Sequence, residues 1–273
     1  RVEMYEYVIR RIDGFNFCGW VRSFDNKYFR KARCIRKVAY RGPYHLEEYL
    51  YVKKHARKEV KIPITGPYTL VDWSYNEFYK TKEEFLFDIA QEVIRPLLQD
   101  LVKAGASRIQ IDEPAATTHP TEMKSFVEAF NKAVEGVKAK VSIHICYSGN
   151  EYRALFPYAL DLKVSQFTLE FANRDGWSLG VSKEDRVGYA ALNLFKEYSD
   201  QREIGLGVVD VHVDELEPPE LIRDRILYAA KVLDDPSRLY INPDCGLRTR
   251  SRDVALVKLE RMVKGVEMAK KLL

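Results

Sequence analysis

His144 and Cys146 in Val-Ser-Ile-His-Ile-Cys-Tyr-Ser, with Cys245 far downstream in Ile-Asn-Pro-Asp-Cys-Gly-Leu-Arg, are the residues of this chain whose types and spacing most directly suggest chemistry. They are one of five histidines and two of four cysteines, and they fall at the ends of apolar runs. In an extended strand, residues two apart point to the same side, so His144 and Cys146 can reach one ion. A cysteine in a tight turn after a later strand can join them. An imidazole and two thiolates suit zinc, and a fourth, exchangeable ligand makes such a site catalytic where a closed one is structural. Glu170, at the end of the next apolar run, is the expected fourth ligand. Two thiolates and a carboxylate leave the zinc site negative, which disfavours activation of water but tolerates exchange of the carboxylate for an incoming thiol. The metal would hold that thiol as its thiolate, the nucleophilic form.

The elements that must position these residues alternate regularly from residue 60 onward. Short apolar β-type runs at 62–65, 108–111, 141–145, 164–169, 204–209 and 239–241 are separated by helical patterns at about 82–104, 121–137, 151–159, 184–199, 217–234 and 251–272. Alternation of this kind predicts βα units and a parallel sheet. A seventh strand is expected at Cys34 to Tyr40, followed by a helix from about Tyr44 to Arg57. The chemically useful residues sit at strand ends: Asp112 and Glu113, His144 and Cys146, Glu170, Asp210 and His212, then Cys245. Candidate residues on five separate strand ends favour a closed barrel over an open sheet, which would gather only the neighbours of one switch point. The expectation is therefore an α/β protein, a (β/α)8 TIM barrel forming one catalytic domain over residues 1–273. Its first strand is read as missing from the numbered chain, because Arg1 already opens inside a helical pattern.

Bulk properties narrow the function. A chain of 273 residues can bury a large core. Its formal charge of +4 forms no basic stripe interleaved with aromatics, so no nucleic-acid partner is expected. No apolar run approaches the length of a membrane helix, and no signal peptide is visible. Four widely spaced cysteines do not read as a disulfide framework, so the expected compartment is the reducing cytoplasm. Cys18 and Cys34, without nearby partners, read as core residues. Gly205-Leu206-Gly207 lacks the third glycine and the helix start of a dinucleotide fingerprint.

Five segments in order resemble the cobalamin-independent methionine synthases: Gly66-Pro67-Tyr68-Thr69-Leu70-Val71-Asp72-Trp73-Ser74, Ile109 to Ala115, His144 to Ser148, Gly207 to His212, and Asn242 to Arg250. The resemblance implies a (β/α)8 barrel, methyl transfer to the sulfur of homocysteine, and zinc bound by His144, Cys146, Glu170 and Cys245. It implies that Asp112 binds the substrate's amino group, with Glu113, Tyr147 and Ser148 also on the substrate side. His212, oriented by Asp210, resembles the histidine that assists proton delivery to the leaving group, and Trp73 the aromatic that stacks on a folate pterin. The longer bacterial and plant enzymes carry an additional N-terminal barrel with no counterpart here. The expected methyl donor is accordingly methyltetrahydrofolate or a methylated corrinoid, the latter carried on a protein. The family's first strand, with its serine for the homocysteine carboxylate, is expected upstream or from another chain. Two alternatives stay open: a related zinc methyltransferase or lyase acting on another thiol such as coenzyme M, and a non-catalytic zinc-binding relative.

Overall fold

The computed structural model describes residues 3–22, 27–146 and 152–273. They form two compact units, residues 1–149 with 158–165 and residues 150–157 with 166–273.

In the first unit, helix α1 (Met4–Ile9) starts at Glu3, whose carboxylate accepts the N–H groups of Tyr5 and Glu6 at 2.8 and 3.1 Å. Strands β1 (Ile12–Arg22) and β2 (Tyr28–Tyr40) form an antiparallel pair with two register shifts, and helix α2 (Leu46–His55) follows. Next come β3 (Lys61–Thr65), α3 (Pro67–Asp72) and the short β4 (Tyr75–Asn76), which adds to β2. Helix α4 (Lys82–Asp88) is capped by the Thr81 hydroxyl and runs through a π-turn at Ile89–Ile94 into α5 (Arg95–Lys103). Pro96 has no N–H to give to the turn before it. Arg95 N–H correspondingly reaches back five residues, to the Ala90 carbonyl. Strand β5 (Arg108–Asp112), helix α6 (Met123–Val134) and strand β6 (Lys140–Ile145) complete the unit. Strands β3, β5 and β6 are parallel, with Ile62, Ile109 and Val141 in one register line and Ile64, Ile111 and Ile143 in another. All six are buried, and Gln110 and Ser142 on the opposite faces are buried too. Both faces of β5 and β6 are buried, while Lys61 and Pro63 leave one face of β3 exposed.

The second unit repeats the pattern. Strand β7 (Gln166–Leu169), helix α7 (Leu192–Glu197), strand β8 (Glu203–Gly207), helix α8 (Pro219–Leu233), strand β9 (Leu239–Asn242) and helix α9 (Arg252–Lys270) follow in order. Its strands are parallel, with β8 between β7 and β9. Helix α8 opens on Pro218-Pro219, and α9 on Ser251, whose hydroxyl accepts the Val254 N–H at 3.2 Å.

Several sequence expectations are corrected. The run at Cys34 to Tyr40 is extended but belongs to the antiparallel pair, not to the parallel strands, and its partner β1 was not foreseen. The helix expected over 184–199 shrinks to α7, and that expected over 151–159 is replaced by 3₁₀ turns at Tyr152–Leu155 and Tyr158–Asp161. Strand β8 ends at Gly207, so Asp210 and His212 lie in the following loop. Among the described residues, no helix is long and apolar enough to cross a membrane.

Candidate metal centre

In the first unit, register aligns Thr65, Asp112 and His144 across the ends of β3, β5 and β6. The loops leaving these ends are stitched together, Gly66 N–H donating to the Asp112 carbonyl and Glu113 N–H to the His144 carbonyl, both at 2.8 Å. Asp112 is part-exposed and accepts the Gln110 amide at 2.8 Å. Its neighbour Glu113 is fully buried. It accepts the Tyr68 N–H at 3.0 Å, the Thr69 N–H at 2.7 Å and the Thr69 hydroxyl at 2.6 Å, so it plugs the start of α3. Burial raises its pKa to about 7 against the opposing pull of the Thr69 and Tyr68 donors, with Asp112 adding to the rise. Gly66 is required here, because a Cβ would fall 2.3 Å from the Glu113 carboxyl carbon. Glu113 therefore positions the chain, and its buried oxygens face the protein and not a substrate. Trp73, capping α3, stacks on Phe29 at 5.3 Å between centroids and 26° between planes, with Tyr5 6.0 Å away.

The second unit brings Glu170, His212 and Cys245 into one neighbourhood. Glu170 follows β7 and is 3% exposed; its Oε1 accepts an Arg174 N–H at 3.0 Å and its Oε2 lies 4.0 Å from His212 Nε2. The Tyr152 hydroxyl accepts the Glu170 N–H at 3.0 Å and donates to its carbonyl at 3.3 Å. His212 has its pKa raised, first by the facing Glu170 carboxylate, against desolvation, and further by the charges of Asp210 and Cys245. Asp210 Oδ1 accepts the His212 backbone N–H at 2.8 Å. Behind it, Glu217 accepts the Asp210 N–H at 2.7 Å and pairs with buried Lys258 at 2.9 Å. Arg225 and Arg186, both buried, share Asp175 at 3.0 and 2.8 Å.

Asp244, next to Cys245, mirrors Glu113. It is fully buried and accepts the N–H groups of Phe171, Ala172 and Asn173 at 2.9, 3.0 and 2.7 Å, tying the loop after Glu170 to the turn that carries Cys245. Burial lifts its pKa to about 7 against those three donors, and Glu170 adds to the rise. Sequence reading missed Asp244, Thr69, Tyr152 and Arg174. The first two sit inside the Asn-Pro-Asp-Cys and Gly-Pro-Tyr-Thr segments, so the motifs themselves were the available signal.

His144 and Cys146, at the end of β6 in the first unit, each offer a ligand atom within 4.8 Å of the other, and Cys245 follows β9 in the second unit. His144 is buried and the two cysteines are half-buried. An imidazole and thiols are donors that zinc takes. The Glu170 carboxylate rests on Arg174. Cys34 is buried, and burial lifts its thiol to about 11, as a core cysteine requires; Cys18 is exposed, which corrects its reading as core. Tyr147 and Ser148 lie outside the described residues.

The family model for the cobalamin-independent synthase catalytic domain matches residues 1–270. The chain is 45% identical over 274 residues to the methionine synthase of Thermoplasma acidophilum, spanning 96% of this chain and 79% of that protein. It is also 45% identical over 272 residues to the methionine synthase of Thermococcus kodakarensis, spanning 99% and 76%. A B12-independent methionine synthase from Shewanella sp. W3-18-1, solved in complex with selenomethionine, aligns with a TM-score of 0.84 at 22% identity, over 98% of this chain and 80% of that one. That likeness gives the fold, an α/β architecture of parallel strands in a TIM-barrel family.

Proposed function

The chain belongs to the cobalamin-independent methionine synthase family and is an enzyme of the methyltransferase class; from that premise we propose that it methylates the thiol of homocysteine to give methionine, at a zinc site. The observation that carries the metal reading is the pair His144 and Cys146, with ligand atoms within 4.8 Å of one another at the end of β6; Cys245 is proposed as the third ligand and Glu170 as the fourth, exchangeable one. Bound zinc would keep the substrate sulfur as a thiolate at neutral pH.

The chain's own residues supply the rest. Asp112, a part-exposed carboxylate at the end of β5, takes the homocysteine ammonium through a charge-assisted hydrogen bond. Glu113 fixes the loop that presents Asp112, and Asp244 holds the Glu170 loop against the Cys245 turn. His212, held protonated to higher pH than an ordinary histidine by Glu170 and Asp210, is placed to give a proton to a departing nitrogen if the donor is a folate. Trp73 offers the aromatic surface for such a donor, and a methylated corrinoid on a carrier protein is the other donor class. Cys146 and Cys245 would have to stay reduced to hold zinc, a need that a reducing compartment such as the cytoplasm meets.

Metal analysis of the wild type and Cys245→Ser tests this reading. The wild type is expected to hold one zinc per chain and to convert homocysteine with one of the two donors, supplied separately as methyltetrahydrofolate and methylcobalamin. Cys245→Ser should lose metal and turnover together. Stoichiometric zinc with normal turnover in Cys245→Ser would sink the assignment.

A further inference from the structure

Glu170 has two neighbours of opposite use, and the geometry points to Arg174 as the residue that makes this carboxylate exchangeable. This inference rests on the zinc and homocysteine reading above. We propose that Arg174 is a positioning residue: it gives Glu170 a second seat, to which the carboxylate retires when the substrate thiol arrives.

The local construction supports it. The Tyr152 hydroxyl pins the Glu170 backbone at both its N–H and its carbonyl, so the residue cannot move by shifting its main chain. Only side-chain rotation is left. The carboxylate is 97% removed from solvent by the surrounding protein, and leaving a ligand position without a new partner would strand a buried charge. Arg174, one turn along the 3₁₀ segment Ala172–Arg174, supplies that partner at 3.0 Å to Oε1, while Oε2 stays on the His212 side. The guanidinium is itself held 5.7 Å over the Tyr152 ring, so the same tyrosine sets both the backbone and the seat. Arg174 is 30% exposed and lines a cavity of about 260 Å³ with Tyr152, Arg153 and Gly188, so its position can be reached from solvent.

A guanidinium that shares the carboxylate's charge weakens it as a metal ligand and stabilises it once displaced; both effects favour the thiol. Without Arg174, Glu170 should compete harder for the metal. The test uses the full chain, stripped of metal and titrated with Co²⁺, whose visible spectrum reports both metal binding and the added thiolate. Arg174→Gln is expected to bind Co²⁺ as tightly as the wild type or more tightly, and to need about tenfold more homocysteine to reach the thiol-bound spectrum, one decade in affinity. Arg174→Lys, which keeps a charge, should recover part of the loss. Millimolar guanidinium added to Arg174→Ala, entering the vacated cavity, should restore the response.

Three outcomes overturn the proposal: unchanged homocysteine affinity in Arg174→Gln, a fall in Co²⁺ affinity with no loss of thiol response, or no difference between Arg174→Lys and Arg174→Gln. If Arg174→Gln fails to fold, the Lys variant and the guanidinium rescue of the Ala variant decide. A wild type that binds no Co²⁺, or whose spectrum ignores homocysteine, refutes the underlying zinc reading instead, and the two failures are thereby distinct.

Discussion

Gly207→Ala should damage the metal centre more than Gly246→Ala, although Gly246 is the residue bonded to Cys245. A Cβ on Gly207, the last residue of β8, would lie 2.2 Å from Asp244 Oδ1 and 2.8 Å from the Leu169 carbonyl, whereas one on Gly246 meets nothing within 4 Å. Ordinary contact begins near 3.4 Å, so the Asp244 carboxylate would have to retreat by about 1.2 Å, the difference between 3.4 and 2.2 Å. It is held by three N–H groups at 2.7 to 3.0 Å, and a shift of that size breaks them. Hydrogen bonds to a charged group are worth about 1.5–3 kcal/mol each, and relief of the buried charge offsets part of the loss, leaving a destabilisation of about 2–4 kcal/mol. For a chain of this size that is a fall in Tm of roughly 4–8 °C. The same shift moves the Cys245 turn relative to the Glu170 loop, and a misplacement near 1 Å can cost about a hundredfold in rate. Differential scanning calorimetry and zinc affinity, measured on both variants, test the argument. Equal behaviour of the two, or a Gly207→Ala protein with wild-type Tm and zinc affinity, would refute it.

Glu113→Gln should destabilise the chain by about 1–3 kcal/mol, since an amide can satisfy only part of the Tyr68 and Thr69 donor set and turns its own N–H toward a donor; chemical unfolding measures it. Asp175→Asn leaves the buried Arg186 and Arg225 guanidiniums short of an anion and should cost about 3–5 kcal/mol, read as a shift in the urea midpoint. His45 has its pKa lowered to about 4 by burial, Glu48 opposing and Arg11 assisting. The unfolded chain then takes up its proton near the ordinary value while the folded chain does not. Stability from this group is intact above pH 6.5, falls as pH drops toward about 4, and levels off below, by about 3 kcal/mol in all. His45→Asn, which tolerates the left-handed φ of 69° at this position, should flatten the stability profile across that window; an unchanged slope would assign the acid sensitivity elsewhere.

How much of this was legible in the sequence depended on what each residue bonds to. Strands β5, β6, β7 and β8 were readable because their Ile, Val, Leu and Phe residues are buried, and β3 and β9 because they fall at the same spacing between helical patterns, although Lys61, Pro63 and Tyr240 are exposed. The β1 strand escaped because its outer half is exposed, with Trp20 at 69%, so no burial pattern marks it. The stretch expected as a helix over 184–199 is instead organised by Arg186, whose partner Asp175 and the Ser178 carbonyl are held by charge, and charge contacts have no helical period. His144, Cys146 and Cys245 stood out because their chemistry is rare and they sit at strand ends. Arg174 and Asp244 did not, because one acts through a neighbour's carboxylate and the other through backbone N–H groups.

The two buried carboxylates share a logic that an uncharged residue could not supply. Glu113 follows Asp112, and Asp244 precedes Cys245, so each is one bond from a residue assigned to the substrate or the metal. Each gathers three donors from a different loop, and each has its pKa driven to about 7 because burial outweighs those donors. A neutral amide would be cheaper to bury but offers a single acceptor oxygen and two unwanted donors. The carboxylate accepts at both oxygens and from several directions, so it fixes two loops against each other to within hydrogen-bond tolerance. Its cost is of the order of a few kcal/mol per site. Stability is thereby exchanged for position at the places where a thiol, a metal and a methyl group would have to meet, which is where a local conflict between burial and charge is expected to be retained.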